Sequence, residues 1–361
     1  MEQNNAIHTP TAPNLQTELI DLSAPDAQQQ LARAAQCLRR GGLVAFPTET
    51  VYGLGANALD PDAARRVYAA KGRPADNPLI VHIAKTAQAA QFAYPTPLFE
   101  ELAARFWPGP LTMIMDKADG ISMEATAGLD SVGVRFPSHP VAQAFITACG
   151  VPVAAPSANL SGKPSPTTAA HVLADMDGRV PMIIDGGACD VGLESTVVDV
   201  RSTPVRVLRP GGVTPRMIAN VLGEVEVDGS VLRPLKQGEI VRSPGMKYKH
   251  YAPDGSLVIV KGSAEKVARE ICALYDESDG EKRILALEAH IPLYGNRRVF
   301  SLGADAKSMA NRLFDALREM DAERVNAIFS EAVPAEDIGL AVMNRLGRAA
   351  AFHIVDAGED E

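Results

Sequence analysis

GGLVAFPTETVYGLGANALDPDAARRVYAAKGRPADNPLIVHI, residues 41–83, places a β-type run, a helical stretch and a second β-type run in direct succession. LVAF and PLIVHI are short, continuous and apolar, as strands buried on both faces are. Between them Asp60 stands as an N-cap with Pro61 at the first helical position. Ala63, Val67 and Ala70 then mark one helical face, and Gly72 follows as a C-terminal glycine. Gly53-Leu54-Gly55 with Ala58 spells a dinucleotide-type G-x-G-x-x-A string. That fingerprint opens a helix directly after its strand, whereas this helix has its own start signal. No G-x-x-x-x-G-K-[ST] string occurs, because Gly162-Lys163 lacks the leading glycine and runs into Pro164. A phosphate site here needs another device.

The same alternation continues outward. TMIM, VGVRF, VPVAA, MIID, TVVDV and VRVL recur between Ala-rich helical stretches from about residue 24 to 215, which predicts a large mixed sheet. From Gly211 to Pro253 the chain is rich in Gly, Pro and charge and poor in helical periodicity, so it reads as an ordered linker that covers something. After Asp254, SLVIV, RILAL, RRVFSL, VNAIF and AFHIV alternate with helical stretches near Ala264 to Tyr275 and Asp305 to Met320. This spacing predicts a smaller, Rossmann-like α/β domain with a parallel sheet. At 361 residues, two domains are expected on length alone.

Apolar residues make up 46%, charged ones 22% and aromatic ones 5%, the profile of an α/β protein rather than a fibrous or disordered one. A net charge of −9 excludes a surface that coats nucleic acid through a basic stripe, so any polyanion must meet a local basic pocket. Cys37, Cys149, Cys189 and Cys272 lie far apart with no C-x-x-C pair, and the seven histidines do not cluster; neither pattern suits a transition-metal centre. Met1 to Gln16 has no signal-peptide layout and no apolar run is long enough to span a membrane, so a cytoplasmic protein with no membrane partner is expected.

Several residues invite chemistry. Lys71 and Arg73 project from a helix end and the loop after it. They either complement the helix dipole or form a triphosphate clamp, the guanidinium as a planar fork and the ammonium as a point charge. Arg135 sits inside the apolar run SVGVRFP and needs an anion, from either a structural salt bridge or a ligand. Ser157 and Asn159 follow VPVAA through Pro156, where turn chemistry competes with ligand contact. Thr50, Arg135, Ser157, Ser195 and Arg209 lie in or at the ends of separate strands, so one sheet could gather them along a cleft. His82 at a strand end and Trp107 in FWPGPLT suit satisfied or core positions as well as a site. Lys247, Tyr248, Lys249, His250 and Tyr251 mix cations with aromatics, as a nucleotide cover or an RNA contact would.

PTETVYGLG, KGRPADNPLIVHI, FWPGPLT, VGVRFP, APSANLSGKPSPT, ESTVVD and LRPG stand in an order that resembles the YrdC-type threonylcarbamoyladenylate synthases, and SPGMKYKHYAP before a small α/β unit resembles their long, two-domain branch. The polar N-terminus reads as a disordered lead over 1–20, and the resemblance, which covers the chain beyond it, implies a YrdC-like catalytic domain over 21–215, a linker or lid over 216–254 and a C-terminal domain over 255–357. It implies a nucleotidyltransferase that joins L-threonine, bicarbonate and ATP into threonylcarbamoyl-AMP and pyrophosphate. A tRNA threonylcarbamoyl-transferase would consume that product, and direct contact with tRNA stays open. Matched residue by residue, it assigns Thr50, His82, Arg135, Ala155 and Ser195 to threonine, and Lys71, Arg73, Asn77, Ser131, Ser157, Asn159, Ser165, Arg209 and Tyr248 to ATP. Lys71 and Arg73 would carry catalysis, and Mg²⁺ would be held by the ATP phosphates rather than by protein ligands.

Three rival functions meet obstacles in the sequence. A non-catalytic module for double-stranded or transfer RNA suits a locally basic concavity but not the acidic total charge. A serine hydrolase on Ser157 lacks G-x-S-x-G. A carbamoyltransferase acting on carbamoyl phosphate would need extra metal-binding and acylphosphatase-like modules.

Overall fold

The computed structural model describes residues 15–233 and 250–358. The first domain holds strands β1 (Glu18–Asp21), β2 (Val44–Phe46), β3 (Gly53–Asn57), β4 (Ile80–His82), β5 (Leu111–Asp116), β6 (Ser131–Arg135), β7 (Val153–Ala155), β8 (Met182–Asp185), β9 (Thr196–Asp199), β10 (Val205–Arg209) and β11 (Val225–Val227). They make one eleven-stranded mixed sheet in the order β1-β8-β2-β3-β7-β4-β6-β5-β9-β10-β11. Helices α1 (Ala27–Arg39), α2 (Pro61–Lys71), α3 (Pro97–Phe106), α4 (Pro140–Cys149), α5 (Ala169–Met176) and α6 (Pro215–Leu222) connect and cover it. Every residue of β2, β4 and β7 is buried, which is why these strands read as apolar runs without alternation.

The start and stop signals of α2 act as the sequence predicts: Asp60 accepts from the Asp62 amide at 2.9 Å, and Gly72 takes a left-handed φ of 61°. The stop matters because it ends the helix with Lys71 turned inward. The Gly53-Leu54-Gly55 string lies in β3, antiparallel to β2 and β7, and opens no helix. A Cβ on Gly55 would stand 2.9 Å from Val153 Cγ1 and 3.1 Å from the Val44 carbonyl, so this strand is glycine-rich because its neighbours press against it. Trp107 is core, edge-on to Phe99, with Nε1 donating to the Leu111 carbonyl at 2.7 Å.

The second domain runs β12 (Ser256–Gly262), α7 (Ala264–Glu277), β13 (Lys282–Ala286), β14 (Val299–Ser301), α8 (Ala306–Ala322), β15 (Ala327–Glu331), α9 (Asp337–Ala349) and β16 (Ile354–Gly358). Its five strands are all parallel, in the order β14-β13-β15-β12-β16. Two corrections fall at the boundaries. Residues 18–20, expected within a disordered lead, belong to β1 and pair with β8. The stretch from Gly211, expected to lack helix, begins with α6, and β11 then pairs with β10, so the first sheet extends to Val227 rather than stopping at 215. The two domains share a core in which Val51, Leu193 and Tyr251 pack with residues of α8 and α9 such as Phe314, Leu317 and Leu346.

Candidate active site

Across the sheet from β7 to β10, strand register brings distant segments side by side. Ile80 of β4 stands opposite Ala155 of β7, His82 opposite Arg135 of β6, and Arg135 opposite Thr112 of β5. Leu111 pairs with Thr196, and Val197 with Arg209. These ends open into one cleft. Of the residues singled out from sequence, Lys71, Arg73, His82, Arg135, Ala155, Ser157, Asn159, Ser195 and Arg209 line it. His250 and Tyr251 also line it, so the described chain from residue 250 onward starts at the same place.

Four others stand elsewhere. Thr50 is fully buried, and its hydroxyl meets that of Thr48, which does line the cleft, at 2.9 Å. Asn77 lends its carbonyl to Arg73, while both polar atoms of its buried amide lack a hydrogen-bond partner. Ser131 lines a neighbouring depression with Thr112 and Gly133. Ser165 lies behind the wall and donates to Glu194 Oε1 at 2.5 Å. Tyr248 lies outside the described residues, as does much of the segment expected to form a lid.

Each cation is held differently. Lys71 is 2% exposed, and its ammonium donates to the carbonyls of Ser157 and Asn159 and to Asn159 Oδ1. Burial, and then Arg73, push its pKa well below the usual lysine value. In this arrangement Lys71 shapes the Ser157–Asn159 loop as well as charging the cleft. Arg73 rests on the carbonyls of Asn77 and Pro78 at 3.3 Å, and burial lowers its pKa to about 10. Arg209 donates to the Ser195 carbonyl at 3.1 Å and to the Ser195 hydroxyl at 3.2 Å, and burial brings it too to about 10. Both guanidiniums stay charged at neutral pH.

Arg135 has a partner that the sequence reading did not name. Its Nη2 lies 2.8 Å from Glu49 Oε1, yet the pair is not aligned as a hydrogen bond. Two buried opposite charges in contact but poorly hydrogen-bonded are costly, and such costs gather at functional sites. His82 contacts the Ile80 carbonyl through Nδ1 at 3.0 Å; burial, and then Arg135, depress its pKa to about 3, so it is neutral. Ser195 shares a 2.8 Å hydrogen bond with Thr112. Glu194, also unassigned from sequence, faces Ser165 and, from the second domain, Arg345 at 2.9 Å. Burial alone would raise its pKa, but Arg345 and Arg209 bring it down to about 2.

The Sua5_yciO_yrdC family model, described as telomere recombination, matches residues 36–211, and the model described as threonylcarbamoyl-AMP synthase, C-terminal domain, matches residues 213–351. The threonylcarbamoyl-AMP synthase of Pyrococcus abyssi is 44% identical over 94% of this chain and 99% of its own. The chain belongs to the threonylcarbamoyl-AMP synthase family. The family's Bacillus subtilis member is 46% identical over 93% of this chain and 96% of its own. A crystal structure of P. abyssi Sua5 complexed with L-threonine superposes with a TM-score of 0.86 at 45% identity, covering 91% of this chain and 96% of that one. Among the described residues no helix is long and apolar enough to cross a membrane, and no group of three or more His, Cys, Asp or Glu is placed to hold a metal ion.

Proposed function

We infer that this cleft forms threonylcarbamoyl-AMP and pyrophosphate from L-threonine, bicarbonate and ATP, for threonylcarbamoyl modification of tRNA. The observation that carries the reading is the convergence of Lys71, Arg73, Arg135 and Arg209 on one cleft, beside a neutral His82. A triphosphate and an amino-acid carboxylate are the anions such a set suits. Threonine's amine and bicarbonate would form a carbamate with loss of water. A carbamate oxygen would then attack the α-phosphorus, and pyrophosphate would leave with the electron pair of the broken P–O bond.

The protein's part is positioning and charge. Arg135 would receive the threonine carboxylate, with His82, Ala155, Ser195 and, through Thr48, Thr50 around it. Arg73 and Arg209 would offset phosphate charge, while Lys71 holds the Ser157–Asn159 loop and adds positive potential. Asn77, Ser131, Ser165 and Tyr248 keep their assignment to ATP, Ser165 acting through Glu194. Among the described residues that line the cleft, Glu194 is the acidic one, and its oxygens are engaged by Ser165 and Arg345. Magnesium would therefore ride on phosphate oxygens and water, and no step is assigned to it. The enzyme would be a cytoplasmic nucleotidyltransferase whose product passes to a tRNA threonylcarbamoyl-transferase.

Arg73→Ala tests the clamp. Its contacts with two carbonyls are long, so the fold should lose at most about 1 kcal/mol, while pyrophosphate release should fall by about 100-fold or more. Wild-type turnover in the folded variant would show that Arg73 does not serve the nucleotide.

A further inference from the structure

The second domain reaches the cleft wall through a side chain with no exposed surface. Arg345 lies on α9 among the core residues Ala341, Val342 and Leu346. Its guanidinium crosses the domain boundary: Nε donates to Glu194 Oε2 at 2.9 Å, Nη2 to the Glu194 carbonyl at 3.3 Å, and Nη1 to the Pro210 carbonyl at 2.7 Å. Glu194 and Pro210 are the chain neighbours of Ser195 and Arg209. The other Glu194 oxygen accepts from Ser165. One rigid fork thus ties together the three loops that carry Ser165, Ser195 and Arg209, and Lys, a point charge, cannot make the same set of bonds.

Because Arg209 is itself bonded to the Ser195 carbonyl and hydroxyl, a shift of the Glu194 loop moves both cleft residues at once. We propose that Arg345 is a positioning residue for adenylate formation, through which the second domain sets the geometry of Ser195 and Arg209. This rests on the reading of the cleft given above. It makes the second domain part of the catalytic geometry rather than only a cover. Misplacement of reacting groups by about 1 Å can cost on the order of 100-fold in rate.

The test is steady-state pyrophosphate release by the full-length protein carrying Arg345→Met or Arg345→Lys, with ATP and threonine varied separately. Arg216→Met, which removes the exposed interdomain bridge to Asp337, serves as the control. Loss of folded protein alone lowers apparent kcat and leaves both KM values in place. A positioning role predicts a KM for ATP raised about tenfold and kcat lowered at least about 30-fold in both Arg345 variants, with Arg216→Met unchanged. Should Arg345→Met fail to fold, Glu194→Gln/Arg345→Met, which removes both buried charges, should fold and show the same pair of changes. Wild-type KM for ATP in either folded Arg345→Met protein would overturn the proposal while leaving the cleft's function standing. Absence of turnover in the wild-type protein would overturn both.

Discussion

Glu49 and Arg135 meet far from each other in the chain, and that distance hid the pairing from sequence reasoning. The apolar setting of Arg135 announces that it needs an anion, but nothing local says which. In the structure the partner is Glu49, 5% exposed, from the same PTETVYG segment as Thr50. With the guanidinium lining the cleft, the carboxylate steers it and keeps its charge in place. Glu49→Gln retains the shape and removes the steering charge. It should lower stability by about 3 kcal/mol, as breaking one side of a buried pair does. It should also raise the KM for threonine about tenfold with the KM for ATP unchanged. Equal changes in both constants would separate Glu49 from the amino-acid site.

Most elements were legible because their apolar periods are strong. LVAF, PLIVHI, TMIM, VGVRF, VPVAA, MIID, TVVDV and VRVL fall on β2 and on β4 to β10. The unread strands have physical excuses. ELID and VEV are three- or four-residue edge strands, exposed at alternate or successive positions. GLGAN lacks β-type side chains because its glycines admit close neighbours. The loop from β8 to β9 shows a similar constraint at the domain boundary. Gly192 has a φ of 78°, and the main chain of Ala310 and Asn311 on α8 occupies the place a Cβ would take. Asn311 also donates to the carbonyls of Cys189 and Asp190 at 3.1 and 2.9 Å. Gly192→Ala should therefore cost about 2–4 kcal/mol, through backbone strain and a parted interface. Denaturant unfolding reads this directly, and an unshifted midpoint would mean that the contact yields freely.

At the scale of the molecule, strand and helix patterns expose two α/β units, but not how they join. The joint is made of long-range pairs: Arg345 with Glu194, and Arg318 with Asp175 at 2.7 Å, beside the shared core around Tyr251 and Phe314. Burial of His82 and His250, and the Arg345 and Arg209 charges that overcome burial at Glu194, also set a pH dependence. His82 and His250 are held at about 3, below their ordinary 6.5, and Glu194 at about 2, below 4.5. All three folded-state values are depressed, so the unfolded chain binds more protons at low pH. Their contribution to stability is complete above pH 6.5, declines as the histidines of the unfolded chain protonate, and declines more steeply below 4.5. Thermal melts between about pH 8 and pH 4 should trace that shape, and a midpoint constant from about pH 7 to pH 5 would contradict it.

The central claim is that one cleft holds a nucleoside triphosphate beside an amino acid and joins them through a carbamate. Its most direct measurement is pyrophosphate release from ATP by the purified full-length protein, with threonine and bicarbonate each supplied or withheld. Release that requires both, together with appearance of threonylcarbamoyl-AMP, is the predicted result. Release that proceeds equally without threonine, or none with all three present, would contradict the account.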